Sequence, residues 1–183
     1  MILLRAYDLA ISTSSDADWF ACVTGAMADD PRADVLVWVL HAYNRRIDFP
    51  AQLRAVVSDQ ARQPAARIFL EATSYQRALG QQLVAEHPSL RGILHKVEPG
   101  ASKALRLQLA SPLIEAGRVR FARGLDPERE RPGTGTGDLV RQLTEFPMVT
   151  HDDLMDAFVY LVIGARQMAR PGQRLAEVRI STF

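Results

Sequence analysis

The chain has 183 residues, of which 48% are hydrophobic, and its 22 Lys and Arg nearly balance its 21 Asp and Glu. This length suits one domain with a full core, and the charge balance means that nucleic-acid binding must depend on local patches rather than on net charge. A single cysteine, Cys22, excludes a disulfide framework and a cysteine-based zinc site, and the absence of any run of about 18 apolar residues predicts a soluble protein without a membrane span.

Three apolar segments open the chain, and turn-forming stretches separate them. The segments span 2–12, 19–27 and 35–44, and they are rich in β-branched and aromatic residues. "TSSDAD" and "ADDPRAD" lie between them. This pattern predicts a three-stranded antiparallel meander, followed by a helix over 51–63 that begins just after Pro50.

Strands and helices alternate in the rest of the chain. We predict strands over 67–73, 92–99 and 118–123, helices over 75–87, 102–116, 138–145 and 151–168, and a Pro/Gly-rich loop over 124–137. Such alternation is typical of parallel strands joined by helical crossovers. The predicted fold is therefore an α/β domain over 1–170, with a mixed sheet of three antiparallel and then parallel strands flanked by helices, and a C-terminal tail over 171–183.

Two acidic residues lie in predicted strands, where an ionised group is costly unless a cation compensates it. Asp8 lies in the first strand, and alternation places it on the same face as Leu4 and Ala6. Glu71 ends the strand over 67–73, at the edge where open α/β sheets bind ligands. Each could instead be a solvated surface residue.

The terminal helix carries three more carboxylates in its first turns, within "VTHDDLMDAFVYLVIGARQ". Asp152 and Asp153 could simply cap the helix and complement its dipole, although Asp156 lies beyond the first turn. Alternatively, these residues converge with the strand carboxylates. An oxygen-only cluster of this kind favours hard cations, and two Mg²⁺ or Mn²⁺ ions can hydrolyse a phosphodiester.

Four motifs, in order over about residues 2–165, resemble the C-terminal nuclease domain of phage terminase large subunits, and the element order resembles a ribonuclease H-like fold. The motifs are "LLRAYDLAISTSSDADWFACVTG", "RIFLEATSYQRALGQQL", "KALRLQLASPLIEAGRVRF" and "LTEFPMVTHDDLMDAFVYL". The resemblance implies a two-metal endodeoxyribonuclease that cleaves double-stranded DNA with little sequence specificity.

The resemblance also implies roles for particular residues. Asp8, Glu71 and Asp153 would be the catalytic metal ligands, and Asp152 is left open as a further ligand. Asp156, Lys103 and Arg106 are expected to surround them, and Lys103 and Arg106 would lie near the DNA backbone or brace the acidic cluster. Apart from the resemblance, His151 beside the acidic pair could polarise a water or simply flank the helix cap. Arg45, Arg46, Arg120 and Arg123 could contact phosphates or be solvated surface residues.

Family members also carry an ATPase domain with a Gly-x-x-x-x-Gly-Lys-Ser/Thr loop. Here "GTGTGD" at 133–138 lacks the lysine. We therefore expect an isolated, monomeric nuclease domain in the cytoplasm of a bacterial host, whose partners would be DNA, the terminase ATPase domain, the small terminase subunit and the portal.

Two alternatives stay open. The first is another ribonuclease H-like nuclease, such as a junction resolvase or an RNA:DNA-hybrid nuclease, which a panel of substrates would distinguish. The second is a catalytically silent docking module of a packaging complex, whose acidic residues only cap a helix. Calorimetry with metal would distinguish that module from an enzyme.

Overall fold

The computed structural model describes residues 1–10, 19–28, 36–71, 74–99, 102–122, 136–169 and 178–182. Within these ranges the strands are β1 (Ile2–Asp8), β2 (Phe20–Met27), β3 (Val37–Arg45), β4 (Arg67–Glu71), β5 (Leu94–Pro99), β6 (Val119–Phe121) and β7 (Val178–Thr182). The helices are α1 (Phe49–Arg62), α2 (Ser74–Glu86), α3 (Lys103–Glu115), α4 (Thr136–Glu145) and α5 (Asp153–Ala169).

All described strands belong to one sheet with the order β6-β3-β2-β1-β4-β5-β7. Strands β1, β2 and β3 form the predicted antiparallel meander. Strand β4 pairs in parallel with β1, β5 with β4, and β6 with β3. The predicted mixed sheet is therefore confirmed, with its parallel strands added on both sides of the meander.

Strand β7 was not predicted. It lies within the C-terminal tail and pairs antiparallel with β5, for example Val97 with Ile180. A five-residue segment at a sheet edge has little local signal, because its conformation depends on a partner strand far away in sequence.

Helices cover both faces of the sheet. Helices α3, α4 and α5 enclose one hydrophobic cluster with Leu4 and Ala6, and α1 and α2 enclose another with Tyr7 and Ile68. This split confirms the predicted alternation along β1. Asp8 and Glu71 follow the same alternation, which directs both to the α5 face.

Helix α5 lies very close to the sheet. Every residue from Asp153 to Ala165 is buried. A Cβ atom on Gly164 would lie 2.3 Å from Cζ of Phe69, so glycine is what permits this approach. Among the helices of the described ranges, none has both the length and the apolar character to span a membrane.

Candidate functional site

Two acidic residues end adjacent parallel strands. The register pairs Ala6 with Phe69 and Tyr7 with Leu70, and Asp8 and Glu71 occupy the next position of their strands. The structure thus brings these two residues to the same edge of the sheet, on the face covered by α5.

The head of α5 lies at this edge as well. Asp153 is the first residue of the helix and is only 3% exposed. Its Oδ1 accepts a hydrogen bond from the backbone N–H of Trp19, at 3.1 Å. Trp19 immediately precedes β2, whose Ala21 pairs with Asp8. This bond therefore joins the head of α5 to the strand beside Asp8.

The electrostatics of Asp8 show how closely the carboxylates converge. Loss of hydration raises its pKa well above the usual 3.8, and the charges of Asp156, Glu71 and Asp153 raise it further, in that order. Lys103 opposes the shift. Asp8 therefore lies within electrostatic range of three carboxylates from β4 and α5, which a helix-capping role does not require.

Two cations from the first turns of α3 reach this cluster. Nζ of Lys103 lies 2.6 Å from Oδ1 of Asp152 and 3.2 Å from Oδ2 of Asp156. Nη2 of Arg106 donates to Oδ1 of Asp156 at 2.9 Å, and its Nη1 lies 3.5 Å from Oε1 of Glu71. Burial raises the pKa of Asp156, and the two cations oppose that shift.

Tyr160 belongs to the site, and the sequence analysis gave it no role. It is fully buried one helical turn after Asp156, and the Arg106 guanidinium lies 5.6 Å from its ring centre. Burial raises the pKa of its hydroxyl, and the charges of Asp8, Asp156 and Glu71 raise it further. The spacing from Asp153 and Asp156 to Tyr160 on one helix face was the available signal.

Exposed basic residues lie at the same edge. Arg45 ends β3 and lies over the Tyr43 ring, with 4.8 Å from Cζ to the ring centre. The Arg46 guanidinium lies over Trp19 at 4.7 Å, and His151 meets that indole edge-on at 6.0 Å. Trp19 is half-buried and joins these side chains to the head of α5.

Arg120 lies away from the acidic edge. In the sheet it is paired with Trp38 of β3. The residue of β3 that lies level with Asp8, across β2, is Asn44, six residues further along the strand. At about 3.3 Å per residue, some 20 Å of strand separate Arg120 from the acidic edge. Arg123 and most of the 124–137 loop lie outside the described residues.

The donor set suits a hard divalent cation, because carboxylate oxygens predominate and no thiolate or imidazole lies among the predicted ligands. In the described ranges, no group of three His, Cys, Asp or Glu side chains is arranged to hold a metal ion as it stands. What fits a cation is the concentration of negative charge around Asp8, which two protein cations offset only in part.

One family model covers most of the chain. A family described as "Terminase RNaseH-like domain" matches residues 5–164. Among solved structures, T. thermophilus RuvC in complex with a Holliday junction substrate is similar over 92% of this chain and 98% of its own, with 14% identity and a TM-score of 0.39. No curated protein matches the sequence.

Proposed function

The chain belongs to the terminase RNaseH-like domain family and has its ribonuclease H-like fold, which supports a nuclease activity; from that premise we propose that it is a metal-dependent endonuclease for double-stranded DNA. In this proposal it serves as the nuclease domain of a DNA-packaging terminase large subunit in the bacterial cytoplasm. Its partners would then be the ATPase domain, the small terminase subunit and the portal.

The observation that carries the proposal is geometric: Asp8 and Glu71 end adjacent parallel strands, and the head of α5, with Asp153 and Asp156, lies at the same edge of the sheet. The charges of the other three carboxylates raise the pKa of Asp8, in keeping with this arrangement. Burying like charges together destabilises a fold, so an arrangement of this kind indicates a site that a cation or a reaction requires. An exposed acidic patch would carry no such implication.

Each carboxylate has a distinct place in the proposed site. Asp8, Glu71 and Asp153 would hold two Mg²⁺ or Mn²⁺ ions, which when bound supply an activated water and stabilise the leaving oxygen of the phosphodiester. The hydrogen bond from Trp19 fixes the orientation of Asp153. Asp156 is engaged by Lys103 and Arg106, so its part is to anchor these cations beside the ligands.

Contacts with the DNA backbone explain why little sequence specificity is expected. Arg45 and Arg46 are exposed at the acidic edge, where they can reach phosphates that flank the cut. Phosphate contacts position a duplex without reading its bases. Cleavage should therefore weaken steeply with added salt, because each phosphate contact releases counterions.

Plasmid cleavage in the presence of Mn²⁺, Mg²⁺ or EDTA tests the proposal. We expect nicking and linearisation with either metal, no cleavage with EDTA, and no effect of ATP. Asp153→Asn should be inactive, whereas the matched control Asp138→Asn, which removes a carboxylate paired with Arg141 on α4, should cleave like the wild type. Cleavage that persists in EDTA or in Asp153→Asn would contradict the site.

A substrate panel tests the choice of DNA. Linear and supercoiled duplexes should be cut at broadly distributed positions. A preference of about a hundredfold for a four-way junction or an RNA:DNA hybrid would instead indicate one of the other ribonuclease H-like nucleases.

A further inference from the structure

Arg106 has an unusual environment for an arginine. It is 5% exposed, and its guanidinium lies between the end of β4 and the first turn of α5. Buried arginines occur almost only where their charge is paired. Here both terminal nitrogens face carboxylates, which places the charge inside the acidic cluster.

The two contacts of Arg106 are unequal. The contact with Asp156 is a charge-assisted hydrogen bond of 2.9 Å, whereas the 3.5 Å to Glu71 is an ion pair at longer range. Asp156 is also bound by Lys103, so it is held from two sides. Of the two contacts of Arg106, the one with Glu71 is therefore the weaker, and Asp156 anchors the guanidinium.

We propose that Arg106, assisted by Lys103, is an internal counter-ion that competes with divalent metal for Glu71. This inference rests on the proposed function and adds to it how metal affinity is set. Arg106 is then a positioning residue: it holds Glu71 at the sheet edge through a contact weak enough for a metal ion to displace.

The physical basis is charge. A fixed positive charge within a few ångströms lowers the affinity of a carboxylate cluster for another cation, as it lowers the affinity of a carboxylate for a proton. Removing that charge should raise metal affinity and leave the carboxylates to repel one another when no metal is added. A residue that only packs, or one that only contacts DNA, would not show this pair of effects.

Calorimetric titration with Mn²⁺ tests the proposal on the intact chain, together with melting temperatures in EDTA and in Mn²⁺. Arg106→Gln should bind Mn²⁺ about tenfold more tightly than the wild type. It should melt at a lower temperature in EDTA and show a larger increase with Mn²⁺. Arg106→Lys keeps the charge without the two-pronged geometry, so its Mn²⁺ affinity should return towards that of the wild type.

Lys103→Gln is a second test that does not depend on the folding of Arg106→Gln. Lys103 is 48% exposed and can be replaced without disturbing the core. We expect it to increase Mn²⁺ affinity about threefold, as suits a more exposed charge. Arg141→Gln, which removes an exposed cation from α4, is the matched control and should leave Mn²⁺ affinity unchanged.

The possible outcomes separate this inference from the proposed function. If the wild type binds Mn²⁺ and neither Arg106→Gln nor Lys103→Gln binds more tightly, the counter-ion proposal alone fails. Weaker binding by both variants would also overturn it, because the cations would then assist the metal. If neither wild type nor variants bind Mn²⁺, both proposals fail, whereas binding only by the variants supports the competition.

Discussion

Acidic residues lie on both faces of the sheet, in two clusters of polar side chains that differ in their hydrogen bonding. On the α1 face, Asp59 accepts hydrogen bonds from the hydroxyls of Tyr7 and Tyr43 and pairs with Arg62 at 2.8 Å. One negative charge there has three donors. On the α5 face, Lys103 and Arg106 contact several carboxylates. Loss of hydration there, followed by the charges of neighbouring carboxylates, raises the pKa of Asp8.

The difference shows which cluster the fold requires for stability. Donors around Asp59 outnumber the charge, so the cluster joins α1 to β1 and β3 and stabilises the fold. Around Asp8, loss of hydration and the neighbouring negative charges raise the pKa of the carboxyl group, so its ionised form is unfavourable to folding. A protein retains such a group where function requires it.

The largest effect on cleavage should follow from substitutions of the proposed metal ligands that keep the size of the side chain and remove its charge. Asp8→Asn and Glu71→Gln should each lower plasmid cleavage at least about a hundredfold, because each removes a proposed metal ligand. Asp59→Asn is the matched control on the other face, and it should keep wild-type cleavage. Near-normal cleavage by both ligand variants would refute the assignment of the site.

Substitution of Asp59 should lower stability rather than cleavage. Asp59→Ala leaves the hydroxyls of buried Tyr7 and half-buried Tyr43 without their acceptor, so the free energy of unfolding should fall by about 2–3 kcal/mol. Cleavage per folded molecule should stay the same. Arg62→Gln removes a cation that is 71% exposed and should change stability by less than about 0.5 kcal/mol. Urea unfolding measures the free energy of unfolding of both variants. An equal decrease in the two would disprove the stabilising role of the tyrosine hydrogen bonds to Asp59.

The sequence predicted the fold far better than it predicted distances within the site. Hydrophobic alternation and turn residues predicted the meander and the parallel strands that follow, because these signals are local. Whether Asp8 and Glu71 would meet was left open, because it depends on β1 and β4 being neighbours in the sheet, as the structure has them. Their roles as metal ligands, and the division of the chain at residue 170, stay predictions.

The features that the sequence could not predict depend on strand register and on contacts between residues distant along the chain. Strand β7 forms only because the edge of β5 is available, and Arg120 lies far from the acidic edge because of the pairing of β6 with β3. The spacing of Lys103 and Arg106 indicated one helix face, but only the packing of α3 against α5 shows which carboxylates they contact.

The pH dependence of stability should differ between the two clusters. The pKa of Asp8 is raised in the folded state. Above its usual 3.8 the unfolded chain has therefore released a proton that the folded chain still holds. The contribution of Asp8 to the free energy of unfolding thus decreases as pH rises from about 4 through its folded-state pKa, and that of Asp156 changes in the same direction.

Asp8→Asn tests this sign because asparagine is neutral at every pH. In EDTA the variant should be as stable as the wild type near pH 4 and more stable, on the order of 1 kcal/mol, near neutral pH. Chemical unfolding at several pH values gives the comparison. A variant that is less stable than the wild type at neutral pH would mean that Asp8 has enough favourable partners, as Asp59 does.

Among the carboxylates of the acidic cluster, Asp152 lies at the exposed margin, and its substitution should have the smallest effect on cleavage and stability. Its partner Lys103 is half-exposed, and such pairs contribute about 0–1 kcal/mol. Because Lys103 keeps its 3.2 Å contact with Asp156, Asp152→Asn should leave that lysine in place. We expect a change in stability below about 1 kcal/mol and a decrease in cleavage below about tenfold, smaller than for Asp153→Asn. Parallel assays of the two asparagine variants decide the question that the sequence left open, since an equal loss of cleavage would make Asp152 a main metal ligand.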